Sequence, residues 1–121
     1  MGTLGYGTLG YGSGVHAMVL EVALIQVRVG GESAFEAAMV EAAPVIRRSP
    51  GYLGHEVQRC FETPGRYLLL VWWETLEAHT VGFRQSAAFG EWRAIIGPHF
   101  ESPPVVEHYE RVLGWPRPSE N

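Results

Sequence analysis

The 121-residue chain contains no lysine and no aspartate, and its one asparagine is the terminal Asn121. All nine basic residues are arginine and all thirteen acids are glutamate. These gaps exclude a Schiff-base lysine, a P-loop lysine and an aspartate-rich calcium loop. Any acid, base or ligand must come from His, Glu, Arg, Tyr, Ser or Thr. The single cysteine, Cys60, cannot form an internal disulfide. Its place in an apparent strand predicts an inert core thiol rather than a nucleophile. No apolar run reaches the roughly 20 residues that span a bilayer, and the N-terminus lacks a basic start followed by an apolar stretch. The expected setting is the cytoplasm, with no membrane partner. A net charge of −4 gives no electrostatic footprint for nucleic acid.

What is present reads as one domain with two appendages. Residues 1–17 hold a tandem GTLGY repeat and Ser13-Gly14. So glycine-rich a segment cannot build a core, and it is taken as an N-terminal extension or leader. Residues 18–112 form the domain, and residues 113–121 a C-terminal tail.

Within the domain, Leu20 to Val29 is rich in β-branched residues and stops at Gly30-Gly31, as a strand would. From Ala34 to about Arg48 the apolar positions Phe35, Ala38, Met39, Ala42, Val45 and Ile46 recur at helical spacing, with Pro44 expected to kink or shorten the run. Ser33 and Glu36 have the spacing of a capping box. Ser49-Pro50-Gly51 turns the chain into a second strand, Tyr52 to Glu62. Thr63-Pro64-Gly65 turns it back into a third, Arg66 to Trp73. Glu74 to about Gly97 is a helical region broken near Ser86, and Val105 to Val112 reads as a fourth strand.

The order β-α-β-β-α-β predicts an α+β, ferredoxin-like split fold: a four-stranded antiparallel sheet with helices on one face. Tyr67 to Trp73 is apolar at both parities, and so is Val22 to Ile25, yet two helices cover only one face of such a sheet. At about 25 cal/mol per Å2, leaving the second face wet would forfeit many kcal/mol. Face-to-face packing of two protomers, a homodimer, resolves this.

The chain from Glu21 to Val112 resembles the antibiotic biosynthesis monooxygenase family of dimeric α/β barrels. The likeness is carried by Ser49-Pro50-Gly51-Tyr52 with Glu56 and Arg59, by Tyr67 through His79, by Phe83-Arg84-Gln85-Ser86, and by Phe89 and Trp92. The resemblance implies a cofactor-independent monooxygenase, without metal, flavin or haem, that joins O2 to a small aromatic or quinol-like compound. The family's haem-degrading branch carries a Trp and a His where this chain has Phe83 and Arg93, and an Asn in its first strand that is absent here. That triad is therefore missing.

Such an oxygenase needs a base to deprotonate its substrate, an oxyanion donor and an apolar pocket. His79, between Leu76 and Phe83 on the sheet-facing stripe, is the expected base; a core histidine bonded to a carbonyl or a glutamate is the alternative. Arg93, taken to share the buried stripe of Phe89, Trp92 and Ile96, is the expected anion holder, against a structural pairing with Glu77, Glu91 or a strand glutamate. Arg84 is a second anion contact or a solvated charge. Trp73, Phe83 and Trp92, with Trp72, offer flat walls for an aromatic ligand or form plain core. His55 and Arg59 share a strand face by parity, His108 joins either the pocket or the dimer seam, and His99 closes a helix end. No two histidines have the spacing of a helical metal-ligand pair, so no metal is expected. Glu107 and Glu110 read as edge or intersubunit charges.

Two rival functions remain: a non-catalytic dimeric module, binding a hydrophobic ligand or serving a stress response, and a haem-binding protein using His79 or His99. A void of about 300 Å3 or more beside His79 and Arg93 favours the enzyme.

Overall fold

A computed structural model describes residues 17–118. The glycine-rich repeat and the last three residues of the tail lie outside the described residues. The elements are β1 (Ala17–Gln26), α1 (Glu32–Arg47), β2 (Tyr52–Arg59), β3 (Arg66–Thr75), a π-helical turn (Ala78–Phe83), α2 (Ala87–Ile96), a 3-10 turn (Gly97–His99) and β4 (Val105–Tyr109). The strands form one antiparallel sheet in the order β2-β3-β1-β4, the predicted ferredoxin-like arrangement.

Strand alternation positions everything else. Val19, Glu21, Ala23 and Ile25 of β1 and Tyr67, Leu69, Val71 and Trp73 of β3 are buried toward the helices. The predicted stripe of α1, Phe35 through Ile46, packs onto them together with Phe83, Trp92 and Ile96. Leu20, Val22, Leu24, Leu68, Leu70 and Trp72 alternate with these on the opposite face and are only half-buried. Among the described residues that apolar face carries no second layer.

Several local expectations are corrected. The capping box does not form: α1 begins after Gly31, no side chain caps it, and Glu32 Oε1 instead accepts from Gly30 N at 2.7 Å. Glu36 is drawn away by two stronger donors, Tyr67 Oη at 2.6 Å and Arg59 Nη2 at 2.7 Å. Pro44 does not shorten the helix, which continues to Arg47 and keeps its buried stripe. Cys60 is not a core thiol. β2 ends at Arg59, and Cys60, partly exposed, sits 3.7 Å from Glu62 Oε1 at the start of the turn. β1 stops at Gln26 and β4 at Tyr109, each short of the predicted end; only an isolated bridge from Val27 to Phe100 extends the ladder.

Candidate functional site: a cavity floored by Glu21, His79 and His108

The chain leaves β3 through Glu74 and Thr75 and enters a turn wider than an α-helix, in which Arg84 N donates to His79 O at 3.0 Å. Such an i to i+5 turn bulges its side chains and is frequent at working sites. It seats His79, only 3% exposed, on the sheet among Trp73, Phe83 and His108. The Trp73 indole stacks on the imidazole, with centroids 5.3 Å apart and planes 18° from parallel. Ser86 then breaks the helical path and caps α2, its side chain accepting from Phe89 N at 3.4 Å.

Three titratable side chains from three elements meet here. His79 Nδ1 lies 2.8 Å from His108 Nε2 on β4, and its Nε2 lies 3.4 Å from Glu21 Oε1 on β1. β1 pairs with β4 so that Glu21 and His108 stand opposite each other on the helix-facing side. The Trp73 indole N–H donates to Glu21 Oε1 at 3.0 Å. At 3.4 Å the imidazole and carboxyl are farther apart than the 2.7–2.9 Å of a charge-assisted bond. Burial acts on both groups. It raises the Glu21 carboxyl above its ordinary range, opposed by the Trp73 hydrogen bond and by Arg84. It depresses His79 to about 3, helped by the positive charge of Arg84 and by His108. Burial first, then Arg84, lowers His108 as well. Burial thus works against charge on both members of the pair.

Beside this cluster a cavity of about 730 Å3 opens between the sheet and α2. Glu21 and His79 are its polar floor, Leu69, Trp92 and Ile96 contribute apolar wall, and Arg84 and Arg93 carry the cationic side. Segments around Pro98, Phe100 and Val106 close the far wall.

The predicted site residues therefore separate. His79, Arg84, Trp92 and Arg93 line the cavity, and His108 joins it through His79 rather than pointing to the open face of the sheet. Trp73 and Phe83 do not line it: Trp73 is fully buried, and both pack behind His79 as its support. Arg93 is exposed, not buried with Trp92 and Ile96. One residue past Trp92 puts it at the flank of the stripe, where its guanidinium sits 5.7 Å from the Phe89 ring centre and reaches solvent. Glu91, offered as its partner, is taken by Arg48 at 2.9 Å. His55 lies elsewhere, with Nδ1 2.6 Å from Tyr52 Oη and its ring edge-on to Trp92. Glu107 stands on the exposed edge strand and accepts from Tyr109 Oη. Among the described residues no three His, Cys or Glu side chains converge as a metal-ligand set, and no helix is long and apolar enough to cross a membrane.

Glu21 was missed from the sequence. Its signal is the one charge within β1, at the parity of Val19, Ala23 and Ile25.

An antiparallel sheet backed by helices, with a cavity floored by Glu21 and His79, defines a small α+β domain with a candidate site. Residues 18–95 match the model for the antibiotic biosynthesis monooxygenase family, and the chain belongs to that family. It is 44% identical over 95 residues to the uncharacterized protein YczJ of Bacillus subtilis, covering 78% of this chain and all of that one. A Bordetella bronchiseptica structure assigned to the same family shares 45% identity at a TM-score of 0.78, over 81% of this chain and all of that one. SnoaB, a cofactor-independent oxygenase from Streptomyces nogalater, has the same fold, with 17% identity, a TM-score of 0.67 and coverage of 84% and 99%.

Proposed function

We propose that this chain is a homodimeric, cofactor-independent monooxygenase acting on a small aromatic or quinol-like compound. The observation that carries the reading is the cavity of about 730 Å3 with apolar walls and one polar floor of Glu21 and His79. A flat aromatic fits between Leu69, Trp92 and Ile96 with an acidic hydroxyl directed at that floor. His79 Nδ1 is engaged by His108, so Nε2 is the nitrogen left to take the substrate's proton. Arg84 beside the floor favours the resulting anion, as its effect on Glu21 and both histidines indicates. The substrate anion then gives one electron to O2, the two radicals join in a C–O bond at a carbon that bears hydrogen, the peroxide anion takes up a proton, and loss of that C–H proton with cleavage of the O–O bond releases water and leaves a carbonyl. No step asks for a metal or an organic cofactor, which agrees with the description of SnoaB, a protein of the same fold.

Dimerisation rests on the uncovered apolar face: Leu20, Val22, Leu24, Leu68, Leu70 and Trp72, with Leu53 and Val105 exposed. A second copy seated there would leave the cavity, on the helix side, accessible.

An oxygen electrode tests the function with a panel of hydroquinones, naphthols and anthrones in metal-chelated buffer. Uptake approaching one O2 per substrate oxidised is expected. Saturable quenching of tryptophan fluorescence without oxygen uptake would instead identify a non-catalytic binding module.

A further inference from the structure

We infer that His108 is the outlet of a two-histidine proton relay, in which His79 passes a proton through its ring from the cavity to the edge strand. This rests on the oxygenase reading and adds to it a direction for the proton and a role for a residue that does not touch substrate.

The geometry sets the direction. The two nitrogens of His79 serve different neighbours: Nε2 is on the cavity side near Glu21, and Nδ1 is 2.8 Å from His108 Nε2. A substrate can give its proton only to a bare Nε2. The hydrogen of neutral His79 is then on Nδ1, which donates to His108 Nε2, and His108 carries its own hydrogen on Nδ1. When the substrate O–H breaks, a new N–H forms at His79 Nε2, the His79 Nδ1–H bond breaks, and an N–H forms at His108 Nε2. His108, partly exposed on β4, holds the charge or sheds its Nδ1 proton to water. Protonation of the later peroxide by His79 Nε2–H draws the Nε2 proton back from His108, which recovers from water any Nδ1 proton it had shed, and both rings are restored.

The surroundings explain why a relay serves better than a single base. Glu21 of β1 and the guanidinium of Arg84 face the pair, and burial together with Arg84 works against charge on both rings, but His79 is almost fully enclosed whereas His108 is partly exposed and can pass a proton to water. Passing the proton through the ring leaves His79 neutral before and after. Trp73, stacked on the imidazole, and Phe83 hold the ring in plane, so the exchange occurs through a fixed hydrogen bond.

Long-range 1H–15N correlation spectra of the histidine rings near pH 7 test the direction without any substrate. Both His79 and His108 should carry hydrogen on Nδ1; a His79 bearing hydrogen on Nε2 overturns the relay. The variant His108→Gln then separates relaying from positioning, because a glutamine oxygen can accept from Nδ1–H but cannot take the proton. His79 should keep its tautomer while turnover falls roughly 100-fold, the range of general acid–base catalysis. Turnover at the wild-type rate in His108→Gln would reduce His108 to a positioning residue and overturn the proposal. If the wild-type protein oxidises no compound in the panel, the oxygenase reading fails, while the spectra still decide the direction of the hydrogen bond.

Discussion

Replacing His79 by phenylalanine should remove most of a specific acid sensitivity. Folding lowers this histidine from 6.5 to about 3. Folding here depresses a base, so the unfolded chain binds the proton first. The stability contribution is complete above the unfolded value and is lost as pH falls through the window from 6.5 toward 3. At about pH 4.5 the native ring is still neutral while the unfolded one is charged. At about 1.36 kcal/mol per tenfold, two pH intervals amount to roughly 2.7 kcal/mol. Water entering the cavity mouth screens part of this, leaving about 2 kcal/mol. Glu21 acts in the opposite sense, since its raised carboxyl favours the native state at low pH, but it is present in both proteins and cancels in the comparison. Urea unfolding followed by tryptophan fluorescence near pH 7 and pH 4.5 gives the difference directly. Wild-type protein should lose about 2 kcal/mol more than His79→Phe over that interval. Parallel losses in the two proteins would refute the claim that His79 is buried neutral.

Arg84→Gln should raise the proton affinity of both His79 and His108, since Arg84 holds each down; titration of the ring Hε1 shifts reads this, and unchanged midpoints would contradict it. Gly51→Ala should lower Tm by roughly 10 °C, because about 2 kcal/mol of strain acts on a domain of this size. Gly51 has φ +86°, and a new Cβ would stand 2.6 Å from the Ala78 Cβ at the head of the π turn. Leu70→Glu should convert a dimer to a monomer in analytical ultracentrifugation, by placing a charge in the middle of the uncovered face; an unchanged sedimentation coefficient would locate the interface elsewhere.

The sheet and its two-sided character were legible because they follow from strand parity, which the apolar runs of β1 and β3 state without ambiguity. The stripe of α1 was legible for the same reason, and its buried positions are the predicted ones. The capping box failed because spacing records an opportunity, and Arg59 and Tyr67, distant in sequence, compete for Glu36. Arg93 was misplaced because four residues at helical spacing span a broad arc, and a charged residue at its edge turns outward. His79 was legible as a polar residue on an apolar stripe. Its partners were not, since the registry of β1 against β4 and the π turn bring Glu21 and His108 to it from 58 and 29 positions away. Trp73 and Phe83 looked like pocket walls by composition alone; only packing shows that they back the histidine instead of facing the cavity.

The most direct test of the account is the oxygen uptake of His79→Ala set beside its affinity for a non-oxidisable analogue of a responsive substrate. A loss of roughly 100-fold or more in uptake, with affinity held within a few-fold, is predicted for a residue that moves the proton. Uptake equal to that of the wild-type protein would contradict it and return His79 to the core.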